Sequence, residues 1–319
     1  MIVFLRRAAK ILAVLLLLIA VAIAAFRLAA AMRETATREQ LAPASGHLVQ
    51  TASGGVFVQE KGDGVPVVLI HGTAAWSELW RATIDAVAAA GFHVIALDLP
   101  PFGFSDRPGY YTRQRQAARI DGVLEQLGVA PAIIVGHSFG AGAAVEFAMR
   151  TPKRVRALVL VDAALGLTSE PSDAPWFLRP KWTRETTVSL TITNPLATKT
   201  LLASLIAKKE RALPQYVDIL QRPLRRRDST PDIADWLLYF AGSDRAAQSA
   251  DPASYAKLTL PTALIWGERD SVTPMEQARD LLRRLPRATL VTLPDLGHIP
   301  QIEDPDAFNT ALLAALKEL

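Results

Sequence analysis

Cysteine is absent from the 319 residues, and histidine occurs only five times. The first absence excludes disulfides, thiolate nucleophiles and Cys-ligated metals, while leaving the redox compartment open. There is no H-E-x-x-H or comparable ligand cluster and no phosphate-binding glycine loop, so neither a metal nor a cofactor is expected. Charge of one sign is scarce as well. The formal net charge is +4, but Arg6, Arg7, Lys10 and Arg27 stand in the first 30 residues without an acidic partner; the rest balances at 31 basic against 31 acidic residues. A neutral body gives no electrostatic footprint for nucleic acid. Internal repeats and low-complexity tracts are also missing.

Hydrophobic residues, by contrast, make up 50% of the chain, enough for a large core in one domain or one domain with an insertion. The first thirty residues are a different material. Ile11 to Phe26 carries no polar side chain, with Arg6, Arg7 and Lys10 before it and Arg27 after it. As a helix this run is about 24 Å long, and it reaches across a ~30 Å hydrocarbon layer only with Lys10 and Arg27 snorkelling or with Leu28 to Met32 extending it. Residues 1–32 therefore read as a signal anchor, with a cleavable signal peptide ending near Ala29-Ala30-Ala31 as the alternative. The anchor reading places the amino terminus in the cytoplasm and the body on the non-cytoplasmic side; the alternative exports the body after cleavage.

Residues 33–45 are polar and read as a linker. Short runs at 47–51 and 56–60, separated by "ASGG", suggest a hairpin. Near-continuous apolar runs follow at 65–72, 93–100, 132–138, 155–164, 262–270 and 288–295, as strands buried on both faces require. Helical segments at 76–90, 113–127 and 139–150 alternate with them, which predicts an α/β fold with a mostly parallel central sheet flanked by helices. Thr273-Pro274-Met275-Glu276 offers a capping box, and Asp304-Pro305 an Asp cap followed by proline. The rhythm breaks over 165–255, where helical stretches such as 196–213 and 231–242 replace strands. This is expected to be a helical cap inserted between a first core part, 46–164, and a second, 256–319.

Gly136-His137-Ser138-Phe139-Gly140 fits G-x-S-x-G after a buried strand and before a helix, the context that motif needs. A sharp strand-to-helix turn tolerates only minimal neighbours, and the helix start points N–H groups and partial positive charge at the serine. Ser138 is therefore a candidate nucleophile. A general base must come later. His47 and His93 belong to strands, and His71 and His137 to strand-end turns, which leaves His298 in the loop after the last strand. Asp270, just past the strand that follows the cap, is the candidate acid, 28 residues before His298.

Together, His71-Gly72, "DLPPFGFSDRP" (98–108), "GHSFG", "WGERD" and "GHIPQIEDP" resemble the α/β-hydrolase superfamily in its capped, HG-type branch, over about 47–319. The resemblance implies Ser138, Asp270 and His298 as a catalytic triad, with Asp162 the alternative acid because some relatives take theirs at that strand end. It implies an oxyanion hole from the Phe139 and Thr73 backbone N–H groups. It makes Asp98 and Ser105 structural, with Phe102 and Phe104 as pocket walls, and it leaves Pro101 where the branch usually has a glycine. Relatives that cleave carbon–halogen bonds or epoxides use aspartate at the nucleophile position, so Ser138 favours acyl chemistry: a carboxylesterase acting on a small apolar acyl substrate. Carbon–carbon bond hydrolysis and cofactor-free perhydrolysis remain open on the same triad, and a non-catalytic binding scaffold is the rival class.

Trp176, Phe177, Trp182, Trp236, Leu237, Tyr239 and Phe240 concentrate apolar mass in the cap, as packing or as a lid. Trp176 and Trp236 are taken with Phe102 as candidate pocket residues. Arg222, Arg225, Arg226 and Arg227 form a basic run that reads as a solvated face or as a contact for anionic lipid.

Overall fold

The computed structural model describes residues 2–167 and 172–319. Part of the expected cap, residues 168–171, lies outside the described residues. The chain opens with helix α1 (Ile2–Arg33) and a one-turn helix α2 (Arg38–Leu41). Strands β1 (Gly46–Thr51) and β2 (Gly54–Lys61) form the expected hairpin, and β3 (Val65–Ile70) starts the alternating part. Then come α3 (Arg81–Ala89), β4 (Phe92–Leu97), α4 (Arg113–Gln126), β5 (Ala132–His137), α5 (Gly140–Arg150) and β6 (Val155–Val161). The insertion holds α6 (Lys181–Leu190), α7 (Pro195–Leu205), α8 (Pro214–Gln221) and α9 (Ser229–Ala241). The core resumes with β7 (Thr262–Gly267), α10 (Met275–Arg284), β8 (Ala288–Leu293), α11 (Pro300–Glu303) and α12 (Pro305–Glu318).

The eight strands form one sheet in the order β1-β2-β4-β3-β5-β6-β7-β8, antiparallel at β1/β2 and β2/β4 and parallel elsewhere. Strand periodicity divides the apolar residues between the two faces. Val68, Ile70 and Ile134 pack with Ile120 of α4 and Val145 of α5, whereas Val67, Leu69, Ile133 and Val135 pack with Ile84 of α3 and Phe308 of α12. Both faces being covered explains why these strands show no polar alternation. The parallel strands all end on one edge, where Ser138, Asp162, Asp270 and His298 follow β5, β6, β7 and β8.

The cap has its own core around Val188, Ile233, Trp236 and Leu237, joined by Phe102 and Tyr111 of the body. Residues 33–45 do not hang free as a linker. The buried Glu34 carboxylate accepts hydrogen bonds from the Thr230 backbone N–H (2.8 Å) and hydroxyl (2.5 Å), Ala36 bridges to Arg226, and Leu41 packs with Phe57, Trp76 and Phe104. Phe104 is thus interior packing and not a pocket wall. Arg226 leaves the proposed solvated face as well: its guanidinium is buried beneath the cap and donates to the carbonyls of Gly103 (2.7 Å) and Ser105 (3.1 Å). Asp304 caps α12 by accepting from Ala307 N–H, but the capping box at Thr273 does not form; that hydroxyl turns to Asp270 instead.

Candidate active site

Ser138 sits between β5 and α5 with φ at 51°, the left-handed conformation a sharp turn imposes. The turn is pinned by hydrogen bonds from Ser138 N–H to Val161 O (3.0 Å) and from the N–H groups of Ala141 and Ala164 to Ser138 O (both 3.1 Å). Its glycines are steric requirements. A Cβ on Gly140 would stand 2.2 Å from the His71 carbonyl oxygen, and one on Gly136 would stand 2.8 Å from Ala141 Cα.

His298 Nε2 lies 2.7 Å from Ser138 Oγ, and His298 Nδ1 lies 2.8 Å from Asp270 Oδ2. All three residues are buried. The second oxygen of Asp270 accepts from the N–H groups of Val272 (2.7 Å) and Thr273 (2.9 Å), and the Thr273 hydroxyl donates to Oδ2 at 2.5 Å. Burial pushes the Asp270 carboxyl up, but its bonds to His298 and Thr273 and the attraction of His298 prevail, holding it below the ordinary carboxylate value. An imidazole in this chain can take the serine proton while the carboxylate stabilises the resulting cation.

Asp162, the alternative acid, points elsewhere: Oδ1 accepts from Gly267 N–H at 2.9 Å, and no hydrogen bond joins it to His298. Burial, and next the neighbouring Asp270 charge, raise its carboxyl well above the usual range, favouring the neutral acid. Among the described residues the Thr73 and Phe139 backbone N–H groups have no hydrogen-bond partner, and both residues line the cavity at Ser138.

The other histidines near the site are braces. His71 donates from Nδ1 to Gly72 O (2.8 Å) and accepts at Nε2 from Leu99 N–H (2.9 Å); burial holds it down at about 4. His137 donates from Nε2 to the His298 carbonyl (2.7 Å), and burial, followed by repulsion from His298, holds it at about 3. Glu303 is a further brace that sequence reasoning missed. Buried in α11, it accepts from Gly297 N–H (2.9 Å) on one oxygen and from Ala207 and Lys208 N–H (2.8 and 3.1 Å) on the other. With His298 N–H donating to Leu205 O (3.1 Å), the cap and the histidine loop are tied backbone to backbone. No local signal marked it, because Gln301 and Asp304 stand beside it and the stretch reads as an ordinary polar surface.

Ser138 opens onto a cavity of about 1050 Å³ beneath the cap. Its lining is apolar at Leu79, Ile192, Leu201, Leu202, Leu205 and Leu224 and polar at Ser172, Ser243, Asp244, Arg245, Asp251 and Gln277. The candidate pocket residues sit differently from expectation. Phe102 and Trp236 pack edge to face (4.9 Å between centroids) around a separate space of about 20 Å³ behind Phe139, while Tyr239 and Phe240 line the large cavity. Trp176 is 78% exposed and lines neither space, because the short helix carrying it lies on the outside of the cap. Asp98 and Ser105 hold the loop after β4: Asp98 accepts from Ser77 and Phe104 N–H (both 2.7 Å), and Ser105 Oγ accepts from Phe57 N–H (2.8 Å).

Comparison with known proteins agrees with this architecture. The family described as alpha/beta hydrolase fold matches residues 65–305. Among curated proteins, the chain is 30% identical over 276 residues to a 2-hydroxymuconate semialdehyde hydrolase of Pseudomonas putida, covering 84% of this chain and 93% of that one. It is 28% identical over 253 residues to lipase 1 of Psychrobacter immobilis, covering 76% and 74%. Among solved structures, that of a membrane phospholipase A described as a bacterial virulence factor superposes with a TM-score of 0.68 at 25% identity, over 100% of this chain and 99% of that one.

Proposed function

The chain belongs to the α/β-hydrolase family, and on that premise we propose that it is a membrane-anchored serine carboxylesterase acting on apolar esters. Ser138 attacks the ester carbonyl and His298 takes its proton. Asp270 orients and stabilises the imidazolium, and the Thr73 and Phe139 N–H groups receive the oxyanion. The imidazolium gives that proton to the departing alcohol as the ester C–O bond breaks, and water activated by His298 then hydrolyses the acyl-enzyme, releasing the acid and freeing Ser138. The observation that carries this reading is the unbroken hydrogen-bond chain Asp270–His298–Ser138 opening onto a cavity with apolar lining residues. The apolar lining suits an acyl chain and the polar lining suits the alcohol part of the ester. The anchor rests on α1, whose apolar side chains are exposed to its surroundings, and on the likeness to the membrane phospholipase A over the whole chain.

Carbon–carbon bond hydrolysis is the second reading, favoured by the likeness to the 2-hydroxymuconate semialdehyde hydrolase. The cavity is a poor match for a strongly anionic substrate. The arginines lining it are engaged, Arg113 with the carbonyls of Ser249 and Leu165 and Arg245 with Asp173. The test is a kcat/KM series on p-nitrophenyl esters of increasing acyl length beside a vinylogous diketone acid. The ester reading predicts turnover that improves with chain length and vanishes in Ser138→Ala; turnover of the diketone in preference to every ester would replace it.

A further inference from the structure

Trp176, Phe177 and Trp182 are 78%, 49% and 59% exposed, and neither catalysis nor core packing uses them. Their position relative to α1 gives them a role. The uncharged run Ile11–Phe26, bounded by Lys10 and Arg27, is about 24 Å long as a helix, so the carboxy-terminal edge of a ~30 Å hydrocarbon layer lies near Arg27, with the two cations snorkelling to its surfaces. The cap touches α1 at that point. Arg27 pairs with Glu185 of α6, and Arg33 donates to Thr193 O (3.2 Å) just beyond the end of α6. The pairing advances in the same direction on both segments, so α6 runs alongside α1 in parallel. Its first turn, with Trp182, therefore lies level with the turn of α1 preceding Arg27. On α1 the half-buried Ile23, Phe26 and Ala29 and the buried Ala30 form the face turned to the cap. The helical turn Trp176–Leu178 leads into α6 through Arg179 and Pro180, and Trp176 and Phe177 stack edge to face at 6.2 Å.

We propose that Trp176, Phe177 and Trp182 form an interfacial anchor, seated in the headgroup layer of the leaflet that receives the carboxy-terminal end of α1. The occupant of this surface is the lipid bilayer itself, because the patch continues the lipid-facing surface of α1 at the depth where indole rings partition. Arg179 and Lys181, on the same short stretch and exposed, supply cations for lipid phosphates. The inference rests on reading α1 as a membrane anchor. It turns the cap from a freely hanging lid into an element held against the lipid surface, beside a reservoir of apolar esters.

The lack of native cysteine makes the test direct. Leu16→Cys, Trp176→Cys, Trp182→Cys and, on the remote helix α10, Arg283→Cys are each labelled with an environment-sensitive fluorophore. The full chains are reconstituted in phosphatidylcholine–phosphatidylglycerol vesicles with shallow or deep doxyl-lipid quenchers, and fluorophosphonate labelling of Ser138 checks that each variant is folded. The expected pattern is deep quenching at position 16, and shallow quenching at 176 and 182 at least threefold above the background level at 283. Quenching at 16 with 176 and 182 no different from 283 overturns the interfacial anchor and leaves the membrane helix standing. No quenching at 16 removes the membrane helix and the inference with it.

Discussion

Three buried side chains, Ser138, His298 and Asp270, carry the proposed chemistry, and the contrast between two aspartates is the sharpest residue-level test. Asp270 touches His298 and is held ionised, whereas Asp162 faces Gly267 and is pushed towards the neutral form. Asp270→Asn should lower kcat by about 10³–10⁴-fold, and Asp162→Asn by less than about tenfold, in ester hydrolysis. Equal losses would remove the distinction drawn between them. The buried histidines make a second prediction, for stability. His71 and His137 are held at about 4 and about 3 against an ordinary 6.5, so below pH 6.5 the unfolded chain binds protons that the folded chain refuses. Stability therefore falls as pH drops, by about 2 kcal/mol for each histidine at about pH 5. Asp98, pushed up to about 6 by burial against the opposing bonds from Ser77 and Phe104, works in the opposite direction and returns about 1 kcal/mol over that interval. Asp162, raised by burial, adds in the same direction as Asp98, so the histidine contribution is read as a difference between parent and variant: in denaturant titrations at about pH 7 and about pH 5, the parent should lose about 2 kcal/mol more over that interval than His137→Gln. The same pH response in both would contradict a neutral, buried His137.

At the scale of elements, the sheet was legible because strands covered on both faces are written as unbroken apolar runs, and the Ser138 turn because steric crowding around Gly136 and Gly140 admits little else. What sequence could not display is where a side chain goes when two uses compete. Thr273 has the spacing of a helix cap, yet its hydroxyl serves Asp270; Trp176 has the composition of a pocket wall, yet its helix lies on the outer surface. Glu303 is the same problem in reverse. Nothing local distinguishes it from a surface acid, but its carboxylate joins Gly297 to the end of α7 and so holds the loop of His298. Glu303→Gln should cost about 1–3 kcal/mol of stability, because one buried oxygen acceptor becomes a donor facing N–H groups. As Glu303 only positions the histidine loop, kcat should fall with KM little changed, and Glu303→Asp should recover part of the loss. A fall in stability with kcat untouched would make Glu303 structural alone.

For the molecule as a whole, composition separated a membrane-type segment from a neutral body but treated residues 33–45 as a spacer between them. Polar composition does signal exposure in most segments; here it conceals a docked strap. Glu34 is paired to Thr230, Ala36 is bridged to Arg226, and Leu41 is buried against Phe104, so α1 is continuous with the cap. Arg226 shows the same effect from the other side, an arginine drawn out of a basic run to bind two loop carbonyls. These contacts join the apolar helix, the cap and the histidine loop into one mechanical path above the cavity. All of the proposed chemistry nonetheless depends on Ser138 being an activated nucleophile. Intact-mass analysis of the full chain in detergent after fluorophosphonate treatment tests it most directly, beside Ser138→Ala. A single adduct on the parent chain, absent from the variant, is the predicted result; a folded parent chain without an adduct, or an adduct that persists in Ser138→Ala, would contradict it.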